Sequence, residues 1–276
     1  MQSLTIVVGR CYPQDDVARL LRSLPEEVEA VIADGVGGLT IDRPNVRVLS
    51  LPGRTLAELR GAGLAAATSD FVAFVDPACQ LSTGWLAAAR RALAVAPAAS
   101  GPVEYAGGRS PATWAAFLAE YGAFLPPASS AAGVAGTNLI VVRALLEAGG
   151  AFWKDEVVER LVAAGHAVAY VPDLVVVHRR RWRTLPFLRD RFHHGRCYAG
   201  RRRGRLAPIE RLGRAVAAPA TGLVLFVRLV RAFLPKRRWR VAFALAAPWT
   251  IAFLLAWAFG EAIGYLLGPG ESCRQT

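Results

Sequence analysis

The sequence predicts an α/β fold in which a mostly parallel sheet carries helices on both faces, followed by membrane-associated helices at the C-terminus. Three observations lead there. Strand and helix patterns alternate with short connections through the first third of the chain, the arrangement that builds a right-handed, helix-covered sheet. Phe71 to Val75 is a wholly apolar run stopped by Asp76-Pro77, as in a strand buried on both faces. Val241 to Gly260 is twenty residues without a charge, the length needed to cross a bilayer.

Taken in order, Leu4 to Val8 reads as a strand ending at Gly9 and Arg10. Asp15 and Asp16 then open a helix with Val17, Leu20, Leu21 and Leu24 on its apolar side. Glu29 to Ala33 is a second strand, ending in Asp34 and the loop GVGG, and Val46 to Leu49 a third. A helix from about Thr55 to Ala67 carries Arg60 near its middle and leads into the strand before Asp76. Ligands of such sheets bind at the carboxyl ends of the strands. Asp34 and Asp76 both stand at that edge, where a carboxylate can hold a metal or a ribose hydroxyl. An Asp before Pro also initiates turns.

The order of strand, helix, strand-Asp34, LPGRTLAELRGAGLAAATSDFVAFVD and a helix beginning near Trp85 resembles the nucleotide-sugar half of family 2 glycosyltransferases of the GT-A fold. The likeness continues through GTNLIVVRALLEAGG, RLVAAGHAVAYVPDLVVVH and FLRDRFHHGRCYAGRRR, about residues 3 to 205. It implies a GT-A domain over residues 1–205, with interfacial or transmembrane helices over 206–276. By the same resemblance, Asp34 contacts the base of the nucleotide, Arg60 approaches the diphosphate, and Asp76 belongs to a DxD motif binding ribose and metal. Gly9 and Arg10 join this nucleotide-binding edge, while Gly136, Thr137 and Asn138 fall on the acceptor side. Gly133 and Gly136 would let backbone approach an acceptor closely, and they read equally as loop glycines. The activity implied is transfer of a sugar from a nucleotide-sugar donor, with inversion, to an unidentified acceptor, a lipid-linked molecule or a polysaccharide being the candidates.

Two departures from the pattern touch chemistry. The DxD position reads Asp76-Pro77-Ala78, so the second carboxylate is missing. A divalent metal, Mn or Mg, would then need phosphate oxygens, water or another side chain. His178 is the metal-ligand candidate beside Asp76, and it reads equally as a strand-end histidine making ordinary hydrogen bonds. At the Glu-Asp base motif the chain has Trp153 and Lys154, with Asp155 and Glu156 just beyond. Asp155 is the first choice for a general base and Glu156 the second. Both read as well as a cap and first-turn acid of the helix DEVVERLVAAG.

The C-terminal quarter sets the expected location. Ala215 to Leu234 is apolar but contains Arg228 and Arg231, and KRRWR separates it from the uncharged stretch. Crossing by both helices would strand that basic loop on the far side. The expectation is a first helix in the membrane interface and a second that spans or forms a shallow hairpin with it; a buried core helix of a soluble domain is the competing reading. The net charge of +12 is concentrated after residue 178, which favours anionic lipid headgroups. His193 and His194, adjacent on a helix, belong to that basic face rather than to a metal site. The four cysteines form neither a disulfide framework nor a zinc spacing, so a reducing compartment is expected, with the catalytic domain cytoplasmic. No charged segment precedes a long apolar run at the N-terminus, so no signal peptide is expected. The alternatives are a GT-A homologue that has lost turnover and kept a binding role, and a basic membrane-surface or nucleic-acid-binding protein. No nucleic-acid-binding motif accompanies the arginines, so no nucleic-acid partner is expected.

Overall fold

The computed structural model describes residues 3–13, 15, 17–128, 133–146 and 150–275. They fall into two compact units. A sheet unit comprises Met1–Ala106 and Phe124–Arg180, and a helical unit comprises Gly107–Ala123 and Arg181–Thr276. The division differs from a boundary near residue 205 by one long helix and one excursion of the chain.

In the sheet unit the expected alternation is present. β1 (Leu4–Arg10), α1 (Ala18–Ser23), β2 (Glu29–Asp34), β3 (Val46–Ser50), α2 (Leu56–Ala66) and β4 (Phe71–Val75) follow one another. All five residues of β4 are buried, as a strand covered on both faces must be. α2 starts on a capping box: Thr55 accepts from the Glu58 N–H while the Glu58 carboxylate accepts from the Thr55 N–H. α1 begins only at Ala18, not at Asp15, because Asp15 is turned inward onto other partners; Asp16 lies outside the described residues.

Beyond β4 come β5 (Cys79–Leu81), α3 (Trp85–Leu93), β6 (Ala98–Ser100) and β7 (Val103–Tyr105). After the excursion the chain returns as β8 (Asn138–Val142), then α5 (Lys154–Ala163), β9 (Val168–Tyr170) and β10 (Val176–His178), α5 being numbered after the excursion's α4 (Pro111–Tyr121). The main sheet has seven strands in the order β3-β2-β1-β4-β8-β6-β9. It is parallel except where β8 runs antiparallel to β4 and β6. A second sheet, β5-β10-β7, pairs His178 with Cys79 on one side and Tyr105 on the other. This small sheet was not foreseen, since strands of three residues carry no period. Where a helix was expected after β8 there is a 3-10 turn at Arg143–Leu145, and residues 147–149 lie outside the described set.

In the helical unit α6 (Thr184–Arg202), α7 (Pro208–Phe233) and α4 all pack on α8 (Arg240–Leu267). The α6–α8 contact is made by glycines. A Cβ on Gly195 would strike the Trp257 carbonyl, and one on Gly260 the Phe192 carbonyl; Gly264 lies against Arg196 and Ala199. The Gly260-x-x-x-Gly264 spacing that permits this is a close-approach motif of membrane helices.

Cys197 and Cys273 form a disulfide, which overturns the expectation of four unpaired thiols. Seventy-six residues separate them, and only the packing of the C-terminal turn Gly270–Arg274 on α6 brings them together. Cys11 and Cys79 are free.

Pro208–Phe233 and Arg237–Leu267 are each long and apolar enough to cross a membrane, by length and composition. In an 18-residue window of each, 22% and 28% of the residues are buried. Val241, Leu245, Trp249, Leu255 and Phe259 are all exposed along α8.

Candidate active site

The carboxyl edge of the parallel strands is built by register. Arg10 pairs with Asp34 at the ends of β1 and β2, and β4, on the other side of β1, delivers Asp76. Asp34 and Asp76 are thus two strand spacings apart, about 10 Å. Arg60 reaches the same edge from α2, its side chain passing over Gly9. A Cβ on Gly9 would lie 3.7 Å from Arg60 Cγ and would press on the end of the Leu56 side chain.

Asp34 is fully buried and fully engaged. Its Oδ1 accepts from Arg10 Nη1 at 2.7 Å and from the Val36 N–H at 3.1 Å, and its Oδ2 accepts from the Leu39 N–H at 3.1 Å. Burial alone would favour the neutral acid, but these hydrogen bonds hold its carboxyl below the usual range. A carboxylate so saturated organises the loop after β2 rather than offering an oxygen to a base. That loop, with α1, forms a cavity of about 460 Å³ lined by Arg10, Pro13, Asp15, Val17, Leu39 and Thr40, among others. The backbone and side chains of 39–41 are what a ligand there would meet.

Asp76 is the centre of the second cluster. Its N–H donates to Thr137 Oγ1 at 3.1 Å, and its Oδ1 accepts from the Ala78 N–H at 2.8 Å. Ala78 therefore contributes a backbone donor to Asp76. Arg180 Nη2 lies 3.4 Å from the same oxygen and 2.7 Å from Asp15 Oδ1, while His178 Nε2 is 3.8 Å from Asp76 Oδ1. The Arg180 guanidinium also lies over the Tyr12 ring, 5.2 Å from its centroid. Burial opposes ionisation of Asp76, but Arg180, His178, the Ala78 N–H and Arg60 keep its carboxyl below the usual range. Asp15 is different. Burial, opposed by Arg180 and reinforced by Asp76, pushes its carboxyl up to about 6. Burial also pushes the Cys11 thiol beside it up to about 12, so it is no nucleophile.

The pairing of β10 with β5 explains why residues a hundred apart in sequence meet. Placing His178 opposite Cys79 puts the end of β10 beside the end of β4, and Arg180 follows two residues later. The structure thus brings together Asp76, His178, Arg60 and, on the neighbouring strand, Arg10 and Asp34. It adds Asp15 and Arg180, which sequence reasoning missed. Arg180 was hidden in a run of three arginines, Arg179 to Arg181, and Asp15 looked like a helix cap.

Other expected residues are placed differently. Asn138 is fully buried, accepting from Trp85 Nε1 at 3.0 Å and donating to the Pro102 and Leu174 carbonyls, so it braces the core rather than facing an acceptor. Thr137, also buried, positions Asp76. Gly136 packs on the Lys154 side chain, where a Cβ would come within 3.2 Å of Lys154 Cγ. The N-terminus of α5 therefore abuts the loop that holds Asp76. Asp155 and Glu156 lie in its first turn, and Glu156 lines a cavity with Gly61 and Trp153.

Of the two Asp76 oxygens, Oδ1 already accepts an N–H and faces a guanidinium, and His178 offers one nitrogen. Among the described residues no three His, Cys, Asp or Glu side chains form a metal cluster. A dication on Asp76 would stand within about 5 Å of Arg180, where the repulsion at an effective dielectric of 20 is about 6–7 kcal/mol. The arrangement does not fit a protein-held divalent metal with Arg180 in place.

No protein-family model matches the sequence, and no curated protein matches it. Among solved structures, the chain is similar to the mannosyltransferase PcManGT from Pyrobaculum calidifontis, determined in complex with GDP-Man and Mn2+. The two share 19% identity over 96% of this chain and 87% of that one, with a TM-score of 0.55. The fold is of the GT-A glycosyltransferase type. A likeness to S. aureus TarS 1–349 (14% identity, 95% and 90% coverage, TM-score 0.43) is too weak to argue from.

Proposed function

We propose that this chain is a glycosyltransferase that moves a sugar from a nucleotide-sugar donor to an acceptor, with inversion at the anomeric carbon. The observation that carries the reading is the meeting of Asp76, Arg60, His178 and Arg180 beside a cavity roofed by the loop that Asp34 ties down. The nucleoside occupies that cavity, between α1 and residues 39–41. The diphosphate lies over Arg60 and Arg180, and Asp76 takes the ribose. The similar GT-A structure is bound to GDP-Man, which supports a donor of that class.

The acceptor approaches along the Gly136 loop. As its oxygen bonds to the anomeric carbon, the bond to the β-phosphate oxygen breaks and the electron pair leaves with the diphosphate. The hydroxyl proton goes to Asp155, which we assign as general base because Lys154 anchors the first turn of α5 on that loop. A carboxylate so placed contributes about 10²- to 10⁴-fold.

The domain of residues 1–205 and the C-terminal helices of 206–276 are read as catalytic part and membrane attachment. The exposed apolar side chains of α8 support lipid as partner, and with it a lipid-linked or polysaccharide acceptor. Nucleotide sugars place the catalytic side in the cytosol; the Cys197–Cys273 bridge argues against that face, since such bridges are rare in reducing compartments.

The test is release of nucleoside diphosphate by full-length protein in detergent over a panel of UDP- and GDP-sugars. Turnover is expected on at least one donor, and Asp155→Asn should cut it by about 100-fold or more with donor affinity unchanged. Donor binding without turnover would favour a homologue that has kept only the fold and the binding, as Lys154 at the base position suggests.

A further inference from the structure

We propose that Arg180 does at this site what a divalent cation does at a two-carboxylate site: its guanidinium binds the donor diphosphate and stabilises the leaving group, so that transfer needs no metal. The inference rests on the glycosyltransferase reading and concerns how that reaction is carried out.

Three observations carry it. The position of the second DxD carboxylate is Ala78, whose only polar offering to Asp76 is an N–H. The charge set against Asp76, and against its neighbour Asp15, is a guanidinium. Arg180 Nη2 lies 3.4 Å from Asp76 Oδ1 and 2.7 Å from Asp15 Oδ1. Finally, Arg180 is the outermost member of the cluster. Its side chain is 18% exposed, against 9% for Asp76 and 2% for Asp15, so an anion coming from solvent meets the guanidinium before either carboxylate. Arg60 supports the same end: its buried Nε has no hydrogen-bond partner among the described residues, and its charge acts on Asp76.

Guanidinium is suited to the task. Its planar fork makes two parallel hydrogen bonds to a phosphate and stays protonated at every working pH. The Tyr12 ring lies nearby, its centroid 5.2 Å from the guanidinium carbon. In the reaction the acceptor oxygen–carbon bond forms as the carbon–phosphate-oxygen bond breaks. Negative charge then grows on the β-phosphate, and Arg180 meets it with hydrogen bonds already formed. No proton leaves the guanidinium and nothing is oxidised or reduced. Asp15 holds Arg180 in place before the donor arrives, and so competes with the diphosphate for it. A metal and Arg180 cannot share Asp76 Oδ1, because both are cations directed at one oxygen.

The experiment is calorimetric titration of full-length protein in detergent with UDP and GDP, first in excess EDTA and then with Mn2+. One of the two nucleotides should bind in EDTA, and Mn2+ should change neither its affinity nor donor turnover. Arg180→Ala should weaken binding about 10- to 100-fold, the range of one or two charge-assisted hydrogen bonds, and Arg180→Lys should recover part of it. Asp15→Asn should tighten binding, an effect that a merely structural arginine would not produce. Arg180→Ala should also become Mn2+-responsive, because Asp76 is then open to a cation. Thermal melts of each variant separate these effects from misfolding. Binding that requires Mn2+ in the wild type, or that survives Arg180→Ala in EDTA, overturns the proposal and leaves the glycosyltransferase reading intact. Absence of nucleotide binding under every condition would remove both.

Discussion

Replacing Asp34 by alanine tests how the donor cavity is held. The side chain is fully buried, and the substitution removes the ion pair to Arg10 together with the acceptors of the Val36 and Leu39 N–H groups. Arg10 is itself only 13% exposed, so its charge is left nearly uncompensated. Breaking a buried pair on one side costs about 3–5 kcal/mol. The two stranded N–H groups add about 1 kcal/mol, held down because water reaches them through the open cavity. A total near 5 kcal/mol corresponds to a melting shift of about 10–15 °C for a domain of this size. Asp34→Asn, which keeps an acceptor oxygen, should lose about half as much. The pH dependence has a definite sign. The folded-state carboxyl lies below its unfolded value, so its contribution is present above about pH 4 and is lost as pH falls through the folded value. Wild type should therefore lose this increment in acid, and Asp34→Asn should not. The assay is thermal denaturation of full-length protein from pH 3 to 7, followed by the tryptophan signal, with nucleotide affinity measured in parallel. A loss below about 1 kcal/mol with unchanged affinity would refute the idea that Asp34 organises the loop.

Other expectations follow from the helical unit. Gly260→Val should separate α6 from α8, since even a Cβ there meets the Phe192 carbonyl, and the overpacking should cost about 3 kcal/mol by denaturant melt. Gly213→Ala, at a position with nothing nearby, is the control and should be neutral or slightly stabilising. Arginine at Leu255 and Phe259, both exposed on α8, should release the chain from liposomes in flotation, because each charge opposes burial in hydrocarbon by about 2.5–3.5 kcal/mol. Flotation unchanged by both substitutions would mean that this face does not touch lipid.

Much of the sheet unit was legible in the residues themselves. A strand buried on both faces must be apolar throughout, and a proline directly after Asp76 must end it, so β4 and the carboxylate at its tip follow from local chemistry alone. The same holds for the capping box at Thr55 and for the two long apolar helices, whose signals lie within a few residues of one another. What the sequence could not carry was the meaning of residues whose partners are far away. Asp15 beside Asp16 has the local look of a helix start, yet β10 pairing with β5 brings Arg180 to it across 165 positions. Asp34 has the place of a base-binding acid, but three donors consume its oxygens. Asn138 follows a glycine and threonine like an acceptor loop, but Trp85 and two carbonyls claim its amide. Cys197 and Cys273 show no spacing rule because a bond between elements is set by packing, not by separation along the chain. Local pattern is enough where a residue answers to its neighbours in sequence. At this site the decisive charge, Arg180, answers only to neighbours in space.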